Sequence, residues 1–472
     1  MTSSAGTSLP AARQPTPANL YATAWRWHFY SGLFVVPFLF MLAATGLVMV
    51  YFTGFQSRLG NLVHVEPQNT VRAITVQAQA ALDTYPGATL KEYIAPKSRD
   101  VASWIVVTHQ GATQAVAVDP YSAKVLKTVD KENTVFAWAE KIHGTLLIGD
   151  AGDRIIEVAA GLAVVMIVTG LYLFWPRNGT AWSQVLVPEW RTKGRRWWKS
   201  LHSSVGFWTS IILFGFLLTG MSWTGVWGGK LVQPWATFPA AKWDNVPKSD
   251  ASHASLNSAG GHDVPWGLEQ TPLPVSGSDA GSPGVMGVSA GEPVNLDGVA
   301  ALANRLGFSG QFHINVPQDA SGVYTLSADT MSGDLSNPFQ DRTVHVDRYT
   351  GKVLAQAAFA DYSVVAKAMA IGIALHQGDV GIWSAIANVV FCLAIMLLCV
   401  SGIVMWWVRR PKNAARLVAP SAPPQVALWK GGAVVMALTA LAFPLAGAVL
   451  VAAIVLDWLL ISRIPQLKLR LS

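Results

Sequence analysis

Apolar blocks long enough to cross a lipid bilayer set the first limit on the fold of this chain. They lie at about 29–52, 155–175, 204–226 and 382–408, and a longer block follows at 431–461. A transmembrane helix needs about 20 consecutive apolar residues, so the first four blocks predict four spans. The composition agrees, since 51% of the 472 residues are hydrophobic and only 13% are charged. We therefore expect a polytopic membrane protein surrounded by lipid.

Basic residues beside these blocks predict the orientation of the spans. Between the second and third blocks the chain carries one acidic residue, Glu189, and six basic ones: Arg177, Arg191, Lys193, Arg195, Arg196 and Lys199. Cytoplasmic loops hold such an excess of Lys and Arg, so this segment and the basic segment after the fourth block should be cytoplasmic. The stretch before Trp25 lacks an apolar region with a cleavage site, so we expect an uncleaved first span. The topology explains the net charge of +7, and nucleic-acid binding is not indicated.

These features predict an alternation of spans and loops. The N-terminal segment is 1–25, the spans are 26–53, 143–176, 200–227 and 376–408, the extracytoplasmic regions are 54–142 and 228–375, the cytoplasmic segments are 177–199 and 409–428, and a C-terminal membrane segment occupies 429–462. That last segment, interrupted by Pro444, is either a tight hairpin or a kinked helix, and its basic tail favours the hairpin. The Gly/Ser/Pro-rich stretch 249–293 is expected to be a flexible insert that buries no core.

An internal duplication organises the chain. Each half repeats one template: His28, Gly32 and Thr45-Gly46 match His202, Gly206 and Thr219-Gly220 at the same offsets, and V-D-P-Y-S-A-K-V-L at 118–126 matches V-D-R-Y-T-G-K-V-L at 346–354 in six of nine positions. A further histidine follows each nonapeptide, His143 and then His376, and after it come Thr169-Gly170 and Ser401-Gly402. The chain therefore reads as helix, outer domain, helix, written twice.

The repeated histidines predict two cofactor sites at different depths. His28 and His202 start the first and third spans on the cytoplasmic side, while His143 and His376 start the second and fourth on the other side. Two facing neutral imidazoles ligate a heme iron axially, and Gly32 and Gly206, one turn along, leave room for a flat macrocycle.

The sequence also limits the kind of heme and leaves simpler readings open. No CxxCH motif occurs and the two cysteines, Cys392 and Cys399, lie inside an apolar block, so the expected cofactors are two non-covalent b-type hemes. A single histidine at a membrane boundary is also compatible with an interfacial role, and Thr-Gly pairs serve ordinary helix packing. The remaining histidines are expected at the solvated surface, namely His64, His109, His253, His262 and His313, while His345 is a candidate substrate contact.

Several motifs together resemble a known family. They are R-W-H-F-Y-S-G at 26–32, I-H-G-T-L-L-I-G-D at 142–150, V-T-G-L-Y-L-F-W-P-R at 168–177, L-H-S-S-V-G-F-W at 201–208, T-G-M-S-W-T-G-V-W-G at 219–228 and G-I-V-M-W-W-V-R-R-P at 402–411. This combination is similar to the PepSY-associated transmembrane family, bacterial iron-regulated inner-membrane proteins that include siderophore-iron reductases of the ferrioxamine-reductase kind. The resemblance covers nearly the whole chain. The insert 249–293 departs from the pattern, as does Ala123, where the second copy has Gly351.

The resemblance implies a membrane α-helical bundle with four core spans in two pseudo-repeats and two small α+β PepSY-like periplasmic domains. It also implies a two-heme reductase that delivers electrons to ferric siderophore in the periplasm. Electrons would enter at His28 and His202, pass to His143 and His376, and leave to Fe(III), whose reduction weakens its chelation. No nucleotide-binding loop is visible, so the donor is external, a quinol or a cytoplasmic reductase.

Two other functions stay open at this stage. One is a quinol-linked cytochrome b that serves a different acceptor. The other is a non-redox PepSY membrane protein that regulates a peptidase or another partner. The presence of heme in the purified protein separates the second from the redox functions.

Overall fold

Four long apolar helices form the membrane part of the molecule. The computed structural model describes residues 17–177, 181–257, 261–278, 280, 287–411, 417–420, 430–461, 463–464 and 466. Its helices long and apolar enough to span a bilayer are Leu20–Phe55, Asp150–Phe174, Gly194–Met221 and Ile382–Arg409. They fall on the four predicted apolar blocks, so the chain is a membrane helical protein.

The helices alternate with two runs of strands. In chain order they are α1 (Pro17–Phe55), α2 (Ile74–Thr84), α3 (Val135–Thr145), α4 (Asp150–Phe174), α5 (Trp182–Val185), α6 (Gly194–Met221), α7 (Gln233–Ala236), α8 (Leu296–Arg305), α9 (Val364–Gln377), α10 (Ile382–Arg409), α11 (Lys430–Ala442) and α12 (Pro444–Leu456). The chain divides into two compact units. One consists of Met1–Phe40, Glu157–Leu217 and Met396–Ser472, and the other consists of Met41–Ile156 and Leu218–Ile395.

The second and fourth spans begin later than the sequence predicts. The helix α3 ends at Leu146, which adopts a left-handed conformation (φ 52°), and α4 starts only at Asp150. Likewise α9 ends at Gly378 (φ 82°) before α10 starts. A left-handed residue interrupts helical hydrogen bonding, so His143 and His376 lie on separate short helices, α3 and α9, that precede the spans.

One antiparallel sheet joins the strands of both repeats. Its strands are β1 (Thr89–Ile94), β2 (Ser103–His109), β3 (Ala112–Val118), β4 (Val125–Asp130), β7 (His313–Asn315), β8 (Val323–Ala328), β9 (Arg342–Asp347) and β10 (Val353–Ala358). Their order is β10-β9-β8-β7-β1-β2-β3-β4, and β1 pairs with β7. The two small domains expected from sequence therefore share a continuous sheet of eight strands, because the edge strand of each repeat pairs with that of the other.

The repeated nonapeptides form equivalent turns. Asp119 N donates to Lys124 O and Asp347 N donates to Lys352 O, both at 2.9 Å. Gly351 takes a positive φ of 67°, and Ala123, the departure noted in the sequence, takes almost the same value, 60°. The missing glycine leaves the turn unchanged, at the steric cost that a Cβ carries in this region.

The stretch 249–293 is more ordered than its composition predicts. Among its described residues, β5 (Lys248–Ser252) pairs with β6 (Pro272–Pro274), and Trp266 and Leu268 are buried. Both side chains belong to a core cluster that includes Leu354. The expectation that this stretch buries no core is therefore wrong for these residues. A few apolar side chains are enough to anchor this stretch, because they pack into a core that other residues form.

The C-terminal membrane segment consists of two short helices. A Cβ on Gly447 would lie 2.8 Å from the Cβ of Ala440. Seven residues of a straight helix span about 10 Å, so the chain turns sharply at Phe443 and Pro444. The turn packs against α4, where a Cβ on Gly161 would lie 3.3 Å from the Phe443 Cβ.

Candidate functional site

The first pair of histidines joins α1 to α6. The ring centroids of His28 and His202 are 6.3 Å apart, and the rings are almost perpendicular, at 89°. The second pair joins α3 to α9, with the centroids of His143 and His376 6.4 Å apart and an interplanar angle of 80°. The structure thus brings together the same histidines that the duplication paired, and the two pairs have nearly the same geometry.

A hydroxyl group lies beside the Nδ1 atom of every one of these histidines. The contacts are Thr169 Oγ1 to His28 at 3.2 Å, Ser401 Oγ to His202 at 2.8 Å, Thr45 Oγ1 to His143 at 2.9 Å and Thr219 Oγ1 to His376 at 2.8 Å. These hydroxyls belong to the Thr-Gly and Ser-Gly pairs of the repeat. The sequence showed the motif but left it compatible with ordinary helix packing, whereas its side chains contact the imidazoles directly.

The hydrogen bonds of these hydroxyls fix the imidazole tautomer. Thr45, Thr169 and Ser401 also lie within 2.9 Å of a backbone carbonyl oxygen of their own helix, which accepts the single hydroxyl hydrogen. The hydroxyl oxygen must then accept from the imidazole Nδ1–H. His28 supports this assignment, because its Nδ1 also lies 3.1 Å from the carbonyl oxygen of Met166, which only accepts. The Nε2 lone pair is therefore free to bind a metal.

The glycine after each hydroxyl residue admits the imidazole. A Cβ on Gly170 would lie 3.1 Å from the Cε1 atom of His28, and a Cβ on Gly220 would lie 3.3 Å from that of His376. Gly402 and Gly46 approach His202 and His143 at 3.6 and 3.9 Å in the same way. At Gly170 and Gly220 a side chain would push the ring away from its position.

The glycines predicted to make room for a macrocycle face other side chains. A Cβ on Gly32 would lie 3.5 Å from the Cε atom of Met166, and a Cβ on Gly206 would lie 3.6 Å from the Cδ2 atom of Leu398. Both neighbours are flexible side chains. Contact of Gly32 and Gly206 with a cofactor stays a prediction.

The separation of each pair fits a six-coordinate iron porphyrin. Imidazole nitrogens bind transition metals at about 2.0 Å, which puts the centres of two axial rings about 6.3 Å apart. The observed separations are 6.3 and 6.4 Å. A bare ion needs more protein ligands than two, and the described part of the chain contains no group of three or more His, Cys, Asp or Glu that could hold a metal ion. A porphyrin supplies the four remaining ligands itself.

Other histidines correct the sequence predictions. His253 and His345 are buried and bonded to each other through their Nε2 atoms at 2.9 Å. The expectation of a solvated His253 and of a substrate contact at His345 is therefore wrong, because the ordered part of the insert covers both rings. His313 is partly buried, with its side chain 12% exposed, and its ring nitrogens lie 2.7 Å from Glu92 and 3.0 Å from Asp334.

Three further histidines were also expected at the surface. His109 is partly exposed and lies beside the Tyr85 ring, with centroids 5.4 Å apart. His262 bonds to Glu269 at 2.9 Å and lies against the Trp223 ring, with centroids 4.2 Å apart. His64 is solvent-exposed, as expected.

A cavity of about 120 Å³ lies beside the helix that carries His143. Its wall includes Glu140, one helical turn before His143, and the aromatic side chains of Phe52 and Phe136. Several charged side chains also line it, namely Arg58, Lys97, Lys131, Glu132, Lys141 and Asp263. Burial raises the pKa of Glu140 above its ordinary value, although Arg58 opposes the shift. The cavity can bind a ligand that is both polar and partly apolar.

One comparison with known proteins gives a match. A family model described as "PepSY-associated TM region" matches residues 25–409. The matched range contains all four paired histidines and every strand of the eight-stranded sheet. No curated protein matches the chain.

Proposed function

Because the chain belongs to the PepSY-associated transmembrane family, we propose that it is a membrane oxidoreductase with two b-type hemes that reduces ferric siderophore. The observation that carries the proposal is the geometry of the two histidine pairs, each with ring centroids 6.3 or 6.4 Å apart. In this proposal His28 and His202 hold one heme and His143 and His376 hold the other. Heme, when bound, supplies one-electron oxidation and reduction.

The side chains around the histidines serve to position them. The hydroxyls of Thr45, Thr169 and Ser401 keep the proton on Nδ1 and the lone pair on Nε2, and Thr219 lies in the equivalent position beside His376. Such secondary hydrogen bonds orient an axial ligand and raise its basicity. The apolar helices exclude water, so the potentials depend on these few polar groups.

The cavity beside α3 is the proposed acceptor site. Its charged and aromatic walls suit a ferric chelate, and Glu140 lies one turn from a proposed heme ligand. Reduction converts hard Fe(III) to Fe(II), which oxygen chelators bind less tightly. The electron donor is a quinol or a cytoplasmic reductase, and the basic loops favour a cytoplasmic N terminus in a bacterial inner membrane.

Heme content tests the redox part of the proposal. The protein purified in detergent is expected to be red and to contain close to two hemes per chain, with a dithionite-reduced spectrum of b-type heme. Expression with added heme precursor excludes a shortage of cofactor. Colourless protein under these conditions would favour the non-redox alternative, regulation of a peptidase or partner.

Stopped-flow oxidation tests the acceptor. The reduced protein is mixed with several ferric siderophores, and heme oxidation should exceed the rate seen with the same siderophores loaded with redox-inactive Ga(III). Oxidation by a quinone or by Cu(II), but by none of the ferric chelates, would instead favour a cytochrome that serves another acceptor.

A further inference from the structure

Two arginines have a buried guanidinium Nε atom without a hydrogen-bond partner. They are Arg58 and Arg409, and the other such atoms in the described residues are hydroxyl groups and one amide oxygen. A buried charged donor without an acceptor is unfavourable, so a native protein with two of them needs an explanation. Each arginine lies beside a different histidine pair.

Arg409 packs against two aromatic side chains of α1 that flank His28 in sequence. Its guanidinium carbon is 5.2 Å from the ring centroid of Trp25 and 5.5 Å from that of Phe29. Trp25 lies one turn before His28 in α1, and Phe29 follows His28 directly. The Nη2 atom donates to the carbonyl oxygen of Val418, so one end of the guanidinium is held while the Nε–H has no acceptor.

Arg58 lies between the helices that carry His143 and His376. Its guanidinium carbon is 5.4 Å from the ring centroid of Phe136, two turns before His143 in α3. Its Nη2 atom is 3.4 Å from Asp379, three residues after His376, and also donates to the carbonyl oxygen of Met331. Nη2 is again held by the protein, and Nε is again without an acceptor.

We infer that Arg409 and Arg58 bind the propionate carboxylates of the two porphyrins, an inference that rests on the proposed function. A b-type porphyrin carries two carboxylates on the edge of its ring, and a buried carboxylate requires a cationic partner. The Nε–H of each arginine has no acceptor among the described residues of the protein and can donate a charge-assisted hydrogen bond to a carboxylate oxygen. Both arginines contact residues close in sequence to a paired histidine, so either could hold a carboxylate at the edge of a porphyrin bound by that pair.

Porphyrins with and without free carboxylates test this inference. Apoprotein from heme-depleted cells is titrated with iron protoporphyrin IX and with its dimethyl ester, in two backgrounds that each keep one histidine pair. With His143→Ala only the His28–His202 pair remains, and Arg409→Gln should weaken binding of the free acid by about tenfold or more. With His28→Ala only the His143–His376 pair remains, and Arg58→Gln should do the same there.

The ester provides the decisive comparison. Its binding should not change with either arginine substitution, and each substitution should act in one background only. Arg99→Gln is a matched control, because Arg99 is exposed and its guanidinium donates to the carbonyl oxygen of Gln68, far from either histidine pair in sequence. If a glutamine variant does not fold, Arg→Lys keeps the charge, removes the Nε–H and should give a smaller, still selective loss.

Two results would overturn the inference while leaving two hemes in the wild type. One is an equal loss for the free acid and the ester. The other is unchanged porphyrin binding by Arg58→Gln with loss of siderophore reduction, which would assign Arg58 to the acceptor cavity that it also lines. Absence of heme from the wild type would instead refute the proposed function.

Discussion

The His28–His202 and His143–His376 pairs differ from the His253–His345 pair by about 1.5 Å in the distance between ring centroids. The first have ring centroids 6.3 and 6.4 Å apart, and the second has centroids 4.9 Å apart. In the closer pair the Nε2 atoms are 2.9 Å apart and share a proton directly. The wider pairs have the centroid separation expected of two imidazoles that bind one metal ion. Spacing alone thus separates a structural pair from a candidate ligand pair.

The polar neighbours of each pair agree with this difference. His253 Nδ1 lies 2.7 Å from the carbonyl oxygen of Thr271, so it carries the proton and its Nε2 accepts. His345 Nε2 therefore donates, and its Nδ1 accepts from the Thr325 hydroxyl at 3.0 Å. Every polar atom of this pair is satisfied. At the other two pairs a hydroxyl lies beside each Nδ1, and Nε2 is the proposed metal ligand.

The largest expected effect comes from removing a proposed axial ligand. His376→Ala should reduce heme content from two per chain towards one, because this heme would lose one of its two proposed protein ligands. His253→Ala, at a buried histidine of the other kind, should leave two hemes. Pyridine hemochrome assay of both purified variants measures the stoichiometry, and two hemes in His376→Ala would remove the distinction between the pairs.

A smaller effect is expected from the hydroxyl groups. Thr219→Val keeps the shape of the side chain but removes the acceptor for His376 Nδ1, and should weaken binding at this heme by about 10–100-fold. Thr325→Val makes the same change beside His345 and should leave heme affinity unchanged. Heme transfer to excess apomyoglobin measures the loss, and equal rates for the two variants would contradict the proposed positioning role.

The smallest effect concerns a third histidine environment, a charged one. Burial lowers the pKa of His313, but Asp334 and Glu92 outweigh it and hold the pKa well above 6.5. Burial and Asp334 raise the pKa of Asp329 to about 7, and burial with Asp329 raises that of Asp341 to about 8.

These groups bind protons more tightly in the folded state, so their stabilisation is lost as pH rises. The His313 contribution is complete below pH 6.5 and disappears as pH passes its folded pKa. The wild type should therefore unfold at lower temperature at pH 9 than at pH 6. His313→Gln should cost about 1–3 kcal/mol at pH 6 and less at pH 9. Differential scanning fluorimetry across this range measures both trends, and a pH-independent cost would contradict the charged state of His313.

The sequence was sufficient for the features that depend on length and repetition. Apolar blocks predicted four spans because a bilayer demands about 20 apolar residues wherever it is crossed. The pairing of His28 with His202 and of His143 with His376 followed from the duplication, since equivalent residues of two repeats tend to meet. Both predictions rest on features that can be read directly from the sequence, namely the length of the apolar blocks and the spacing of the repeated residues.

Features that depend on single residues or on distant contacts could not be predicted. Leu146 ends α3 in a left-handed conformation that leucine rarely adopts, so nothing in the sequence marks the break. The Gly/Ser/Pro-rich composition of 249–293 predicts no buried side chains, so the burial of Trp266 could not be predicted. Arg58 belongs to no repeated motif, and its position depends on tertiary contacts with Phe136 in α3 and with Asp379 after α9.

The strand order of the sheet is the same when read from either end, with each repeat supplying four consecutive strands. Each histidine pair likewise takes equivalent residues from the two halves. A half-length ancestor associating with a second copy of itself would already have possessed the complete sheet and both pairs. Once two such halves form one chain, each can diverge independently, and the segment around Trp266 is present in one half only.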